Sequence, residues 1–503
     1  MRRLSFFAPA LSGVALWLSF PPTSAFPLAW VGMIPYLIFI TKRRSKSSLL
    51  VGHLTFCFLY FGGVLYWIPQ VLIVYGHLHV LVAGLVFGLM LALMSAFLLP
   101  FTLLTQCAAG RGRKLGLLCA PGFWLFTEIA RNYWMVNGFP WASLGYSQFP
   151  YLWIVQIADL GGVYFLSFLI VLVNCGLLAL FHMRDLRFAL SILFIFGLTN
   201  LYGVYRLYLW EPVGSYRIKA GLVQGNISLA EDKEYYAKSY FEVLPRLARQ
   251  ASKEGAQWVL LPEAQNPYIF EQDFYFKTFW KKQASVLGVF ILFNSAALDK
   301  TKEGVYYNSA YQLDPTGEVS YRYDKVHLVP FGEYLPFAEW LSFAKPLVAE
   351  VSSFHPGSDL RLARIGEVSY GTLICYEAIF PEISRSHVEG GAEILVNLTN
   401  DAWFGATAAP SQHLQMAVFR AIENRRPFLR AANSGHSAIV SLKGRVEQKT
   451  PLFVEDVIVS DVEANGVKSP FALIGNGLNG MLIMVTFVVL FVRLRQREKR
   501  SVG

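Results

Sequence analysis

Eight apolar stretches, near 6–21, 27–41, 49–74, 79–106, 115–130, 151–181, 188–208 and 472–492, dominate this chain of 503 residues. Each approaches the roughly 20 residues that a helix needs to cross a bilayer. With 54% hydrophobic and only 16% charged residues, the composition is too apolar for an ordinary soluble protein, so membrane insertion is the first expectation. The first two stretches are short and carry Pro9 and Pro35. A signal peptide is not expected, because no small-residue cleavage pattern precedes Pro21 and Pro22 and another apolar run follows closely.

The positive charges set the expected orientation, since Lys and Arg close to spans are retained on the cytoplasmic side. Arg2 and Arg3, Lys42 to Lys46, Arg111 to Lys114, Arg184 and Arg187, and Arg493 to Arg500 mark every second junction. An alternating eight-span chain with both termini in the cytoplasm fits this pattern, with the long polar segment outside. The expected division is 1–210 for transmembrane helices one to seven, 211–468 for an extracytoplasmic domain, and 469–503 for the last helix and a basic tail. The net charge of +10 is thereby accounted for by topology, and nucleic acid is not an expected partner.

From about 216 to 466 the composition turns to short β-branched runs separated by helical patterns, which predicts a layered α/β domain. Ile218–Val223, Trp258–Leu261, Val289–Phe293, Thr372–Cys375 and Ile394–Leu398 read as strands buried on both faces. Helices are expected near 232–252, 271–286, 380–389 and 409–424, the first with Pro245 as a possible kink.

Within this domain Cys375 is the lone cysteine, at the end of a strand-like run. An unpaired thiol facing an oxidising compartment implies either burial or a reactive role, and by itself the position serves both readings equally. A thiol becomes a strong nucleophile only when a base removes its proton or a cation stabilises the thiolate. Glu263 follows the strand-like Trp258–Leu261, and Lys325 ends another extended segment. Taken singly, each is better read as a solvated charge or an ion pair.

Taken together, the motifs say more. Leu261-Pro262-Glu263, the run from Tyr323 to Glu333, and Cys375-Tyr376-Glu377 resemble, in order, the three motifs of the nitrilase superfamily. Val223 to Asn226, Asn400 to Gly405, Gly138 to Trp141 and Gly145 to Gln148 extend the resemblance to its membrane-embedded apolipoprotein N-acyltransferase family, over essentially the whole chain. The resemblance implies an α-β-β-α sandwich joined to a multi-span helical domain in the bacterial inner membrane. It also implies Glu263 as general base, Lys325 as stabilising cation and Cys375 as the nucleophile that carries the acyl group. Glu333, Tyr376, Glu377 and Trp403 match positions around the family's site, and Asn308 is a weaker candidate for orienting the lysine. A phospholipid acyl donor, an S-diacylglyceryl apolipoprotein acceptor and action as a monomer are further expectations. One departure is that Lys233, Tyr235 and Tyr236 stand where the family has a tryptophan after Asn226.

No cofactor and no metal are expected, because His327, His355, His387, His413 and His436 form no metal-ligand spacing. Two loops rich in aromatics, 329–357 and 132–150, suggest a lid and a floor for lipid entry. Glu128 and Arg131 are costly in lipid and are expected to pair inside the protein.

Overall fold

The computed structural model describes residues 7–42, 44–211, 216–229, 232–264, 266–299, 302–336 and 354–502. Two compact units emerge, one formed by Met1–Ile73, Leu78–Glu211 and Ile474–Gly503, the other by Val74–His77 and Pro212–Leu473.

The first unit is helical. Lys46–Val64, Val80–Ala109, Ala158–Met183, Leu186–Leu209 and Gly477–Gln496 are long and apolar enough to cross a membrane. They correspond to five of the eight apolar stretches. The other three are the shorter helical segments Phe7–Leu18 and Phe26–Thr41, and a helix of 22 residues, Arg113–Trp134, that carries four charged side chains. Ala158–Met183 is packed in the interior, with 78% of its span buried, whereas Leu186–Leu209 and Gly477–Gln496 bury only 17% of theirs. On Val80–Ala109, Leu81, Leu85 and Leu89 recur every fourth residue and are 75%, 64% and 63% exposed. So continuous an apolar face is suited to lipid rather than water.

Glu128 is buried and accepts hydrogen bonds from Trp124 Nε1 at 2.9 Å and from the Leu144 amide at 2.7 Å. Arg131 donates to Ser143 Oγ at 3.1 Å and lies over the Phe61 ring. The two charges thus fasten the following loop. Trp141 and Tyr146 of that loop are buried, 2% exposed, whereas Trp134 is 69% exposed.

The second unit contains twelve strands among the described residues: β1 (Arg217–Gln224), β2 (Trp258–Leu260), β3 (Phe290–Leu298), β4 (Tyr306–Leu313), β5 (Val319–Asp324), β6 (Leu362–Ile365), β7 (Val368–Ile374), β8 (Ile394–Thr399), β9 (Phe428–Ala432), β10 (Ala438–Val440), β11 (Val446–Lys449) and β12 (Asp456–Glu463). They form two six-stranded sheets, in the orders β12-β1-β2-β3-β4-β5 and β11-β10-β9-β8-β7-β6. Because side chains alternate across a strand, every second residue faces the other sheet. Ile218, Ala220 and Leu222 of β1 meet Ile394, Val396 and Leu398 of β8 in one core, with Trp258 and Tyr370 in ring contact at 4.5 Å. The intervening residues of the first sheet, such as Val259, Ile291 and Phe293, pack under the helices that carry Leu244, Leu247, Phe276 and Trp280. Helices Pro381–Glu389 and Ala409–Asn424 pack on the second sheet. The result is an α-β-β-α sandwich.

Pro245 falls in the first turn of Leu244–Lys253, just after a π-helical turn over Ser239–Val243. The helical stretch 233–253 is continuous, with Leu244 N–H reaching back to Ser239 O, and the wider π turn is the irregularity beside the proline, which has no N–H to donate.

Gly371 makes room for His387, since a Cβ at that glycine would lie 2.6 Å from the histidine's own Cβ. Burial pushes the His387 imidazole down to about 4. Its folded-state value lies below the unfolded value near 6.5, so the associated stability is full above pH 6.5 and is lost as the pH falls toward 4. That loss amounts to about 3 kcal/mol. Thermal unfolding of detergent-solubilised protein is expected to show a steep acid limb between pH 6.5 and 4 that flattens in His387→Asn. An unchanged limb in the variant would refute this.

Candidate active site

In the first sheet β1, β2 and β3 are parallel, and two antiparallel steps turn β5 to run with them. In the second sheet β7, β8 and β9 are parallel. The chemistry-bearing residues follow the carboxyl ends of these strands. Glu263 comes just after β2, Lys325 immediately after β5, and Cys375 immediately after β7, and the fold brings all three together. The Cys375 thiol, the Glu263 carboxylate and the Lys325 ammonium lie within electrostatic reach of one another.

Local structure forces the thiol forward. Cys375 has φ +50°, a left-handed conformation that costs a non-glycine residue on the order of 1 kcal/mol, and it opens a 3-10 turn over Cys375–Ile379. Glu377 maintains this bend. One carboxylate oxygen accepts from the Ile374 amide at 2.7 Å, and the other accepts from Tyr323 Oη, Val326 N and His327 N at 2.9, 2.8 and 3.1 Å. Glu377 therefore ties the turn that carries Cys375 to the segment that carries Lys325. Burial pushes its carboxyl up to about 7, yet these four neighbours are donors, an arrangement that serves the ionised form.

Lys325 is 1% exposed. Its Nζ donates to Glu333 Oε1 at 2.8 Å, and the other oxygen of Glu333 accepts from the Val329 amide at 2.7 Å. Asn308 donates to Glu263 at 3.0 Å and to Glu333 at 2.7 Å, while its own carbonyl oxygen accepts from Asn294 at 2.7 Å. It bridges the two carboxylates beside the lysine, and its backbone carbonyl accepts directly from the Lys325 amide at 2.8 Å. The second oxygen of Glu263 accepts from the Asn400 amide at 3.1 Å, a partner that the sequence reading did not single out.

Burial raises the Cys375 thiol well above its ordinary value, Glu263 raises it further, and Lys325 opposes both. The Cys375 side chain therefore rests as a thiol. Burial likewise raises Glu263, partly countered by Lys325, which makes its carboxylate a stronger base. Burial disfavours the charge on Lys325, but Glu333 and then Glu263 outweigh it and hold the ammonium well above the ordinary lysine value. The set has the parts for base-assisted thiol attack beside a fixed cation.

Tyr376 packs against Phe380 and His327, at ring separations of 5.0 and 6.0 Å. Trp403 is 39% exposed and meets the ring of Tyr75, a residue of this unit, at 5.1 Å. Tyr236 is buried under the outer helices, and Tyr235 Oη accepts from the Ser228 amide at 2.7 Å. Residues 337–353, the centre of the expected lid, lie outside the described residues. Among the described residues no group of three or more His, Cys, Asp or Glu is placed to hold a metal ion.

Comparison with known proteins extends this geometry to the whole chain. Residues 219–469 match the carbon-nitrogen hydrolase family, and residues 12–176 match the apolipoprotein N-acyltransferase N-terminal domain. An apolipoprotein N-acyltransferase of Geobacter metallireducens is 38% identical over 92% of this chain and 89% of its own length. One from Haemophilus influenzae is 28% identical over 96% of this chain and 94% of its own. Among solved structures, an amidase of the nitrilase superfamily from Nesterenkonia covers 51% of this chain and 93% of its own, at 19% identity and a TM-score of 0.39. With both family domains present in one chain, and a relative of that identity along nearly its full length, the chain belongs to the apolipoprotein N-acyltransferase family.

Proposed function

We propose that this enzyme moves a fatty acyl group from a membrane phospholipid to the N-terminal amine of an S-diacylglyceryl cysteine on an apolipoprotein, through a thioester on Cys375, acting as a monomer. The observation that carries the reading is the convergence of Glu263, Lys325 and Cys375 behind the ends of three strands.

In the first step the thiol proton passes to Glu263 while sulfur attacks the ester carbonyl. Lys325 stabilises the oxyanion of the tetrahedral intermediate. Collapse expels the lysophospholipid alkoxide, which takes the proton from Glu263 and leaves the thioester. In the second step the lipoprotein's neutral amine attacks the thioester, its proton passes to Glu263, and the departing sulfur recovers that proton. The products are an amide and the free thiol. Water competes for the thioester, and an apolar site at the bilayer favours the amine over it.

Purified enzyme supplied with acyl-labelled phospholipid and a diacylglyceryl-cysteine lipopeptide is expected to yield labelled N-acyl lipopeptide and lysophospholipid in equal amounts. Free labelled fatty acid with no lipopeptide product would instead make it a hydrolase.

The enzyme sits in the bacterial inner membrane, with the domain at 211–468 on the periplasmic side and both termini in the cytoplasm. What supports this orientation is the run of basic residues at alternate junctions. A membrane-impermeant thiol reagent applied to intact spheroplasts is expected to label Glu303→Cys but to reach the exposed Cys107 only after lysis. The reverse pattern would invert the topology.

A further inference from the structure

Beneath the nucleophile lies a cluster of buried polar groups that the reaction scheme does not use. Arg430 on β9, Asn397 on β8, Asp401 just after β8, and His413 on the helix Ala409–Asn424 are all no more than 1% exposed. Arg430 donates from one terminal nitrogen to Asn397 Oδ1 at 2.5 Å and from the other to Asp401 Oδ2 at 2.7 Å. His413 Nδ1 lies 3.0 Å from the second Asp401 oxygen. Arg430, with His413, outweighs burial and holds the Asp401 carboxyl far below the usual carboxylate range. Gly435 leaves the space that Asp401 occupies, since a Cβ there would come 2.3 Å from its carboxylate.

Two outputs of this cluster lead to the site. Asn397 Nδ2 donates to the carbonyls of Leu373 and Cys375 at 3.2 and 3.3 Å, one on each side of the residue pair where the strand turns into the left-handed bend. The His413 ring also reaches the Cys375 backbone. On the other side Asp401 anchors the segment whose preceding residue, Asn400, donates its amide to Glu263. Thr399, which contacts the Cys375 thiol, donates to Asp401 at 3.3 Å. One buried guanidinium therefore bears on the nucleophile through Asn397 and on its base through Asp401 and Asn400.

We infer that Arg430 and Asn397 are positioning residues that hold the Cys375 thiol in line with Glu263, a role distinct from stabilising the sandwich. The inference rests on Cys375 being the nucleophile. Arg430 can serve both partners only because its guanidinium is a planar fork, which a lysine cannot reproduce. Asn397 is matched to its place because one end accepts from Arg430 while the other donates to the carbonyls of the bend. An aspartate there keeps the first contact and loses the second.

The test compares unchanged enzyme with Asn397→Asp and Arg430→Lys, measuring acyl-adduct formation on Cys375 against phospholipid concentration, per folded molecule as counted by thermal unfolding. A nucleophile displaced by a fraction of an ångström is expected to lower the saturating acylation rate by about 10- to 100-fold while the half-saturating phospholipid concentration stays within about twofold. Two variants guard against one failing to accumulate. Saturating rates within about twofold of the unchanged enzyme in the variants that fold would overturn the inference, as would a loss that merely tracks the folded fraction. Absence of any adduct in the unchanged enzyme would instead sink the assignment of Cys375 as nucleophile, and this inference with it.

Discussion

Cys375→Ala is expected to abolish N-acyl transfer, with a loss exceeding about 1,000-fold, because the proposed thioester cannot form without the sulfur. Cys375→Ser is expected to fail nearly as completely, since a hydroxyl is a far weaker acid than a thiol and Glu263 is not basic enough to activate it. Complementation of a strain depleted of the activity checks both. Growth supported by either variant would remove the thioester from the pathway. Stability is expected to change little, because the thiol is only partly buried and its removal leaves the core between the sheets intact.

The second large effect is expected at the two charges that flank the thiol. Lys325→Met removes the cation facing the oxyanion and is expected to cost about 100- to 1,000-fold in kcat. It also leaves Glu333 without its ion pair. Glu263→Gln cannot accept the thiol proton and is expected to cost at least about 100-fold. The two losses are expected to differ with pH. In Lys325→Met the base persists, so raising the pH leaves the defect in place. In Glu263→Gln hydroxide can substitute for the missing base, so the residual rate is expected to climb with pH. Rate profiles of adduct formation in the two variants, measured over pH 6 to 9, distinguish these roles, and parallel profiles would contradict them.

The sequence made some parts of this arrangement readable and left others hidden, for identifiable reasons. Glu263 and Cys375 follow runs of apolar or β-branched residues and Lys325 follows the alternating Val319–Asp324, so pattern and motif order place them at strand ends. Long interior strands such as β7 and β8 announce themselves because both faces are buried. By contrast β6 and β11 are short, and β11 is polar and mostly exposed, so neither carries a period that stands out from a loop. The apolar stretch at 115–130 is shorter than its neighbours at 79–106 and 151–181, and Glu128 and Arg131 make it an interior helix whose charges hold a loop.

The hidden part of the site is the polar layer under it. Arg430 looks like a surface charge in a linear sequence, and the motif Asn400 to Gly405 does not reveal that Asp401 pairs with it. Only the pairing of β8 with β9 brings Asn397 opposite Arg430 and so reveals a buried network. Asn308 was legible as a candidate but not in its role, since its link to two carboxylates depends on the register between β3 and β4 that sets Asn294 near it.

The central claim is that a fatty acyl group rests on one sulfur between donor and acceptor, and intact-protein mass spectrometry tests it most directly. Enzyme mixed with phospholipid and no acceptor is expected to gain the mass of one acyl chain, mapped to Cys375, and to lose it when a diacylglyceryl-cysteine lipopeptide is added. An adduct on any other residue, or full turnover with no adduct at Cys375, would contradict the account.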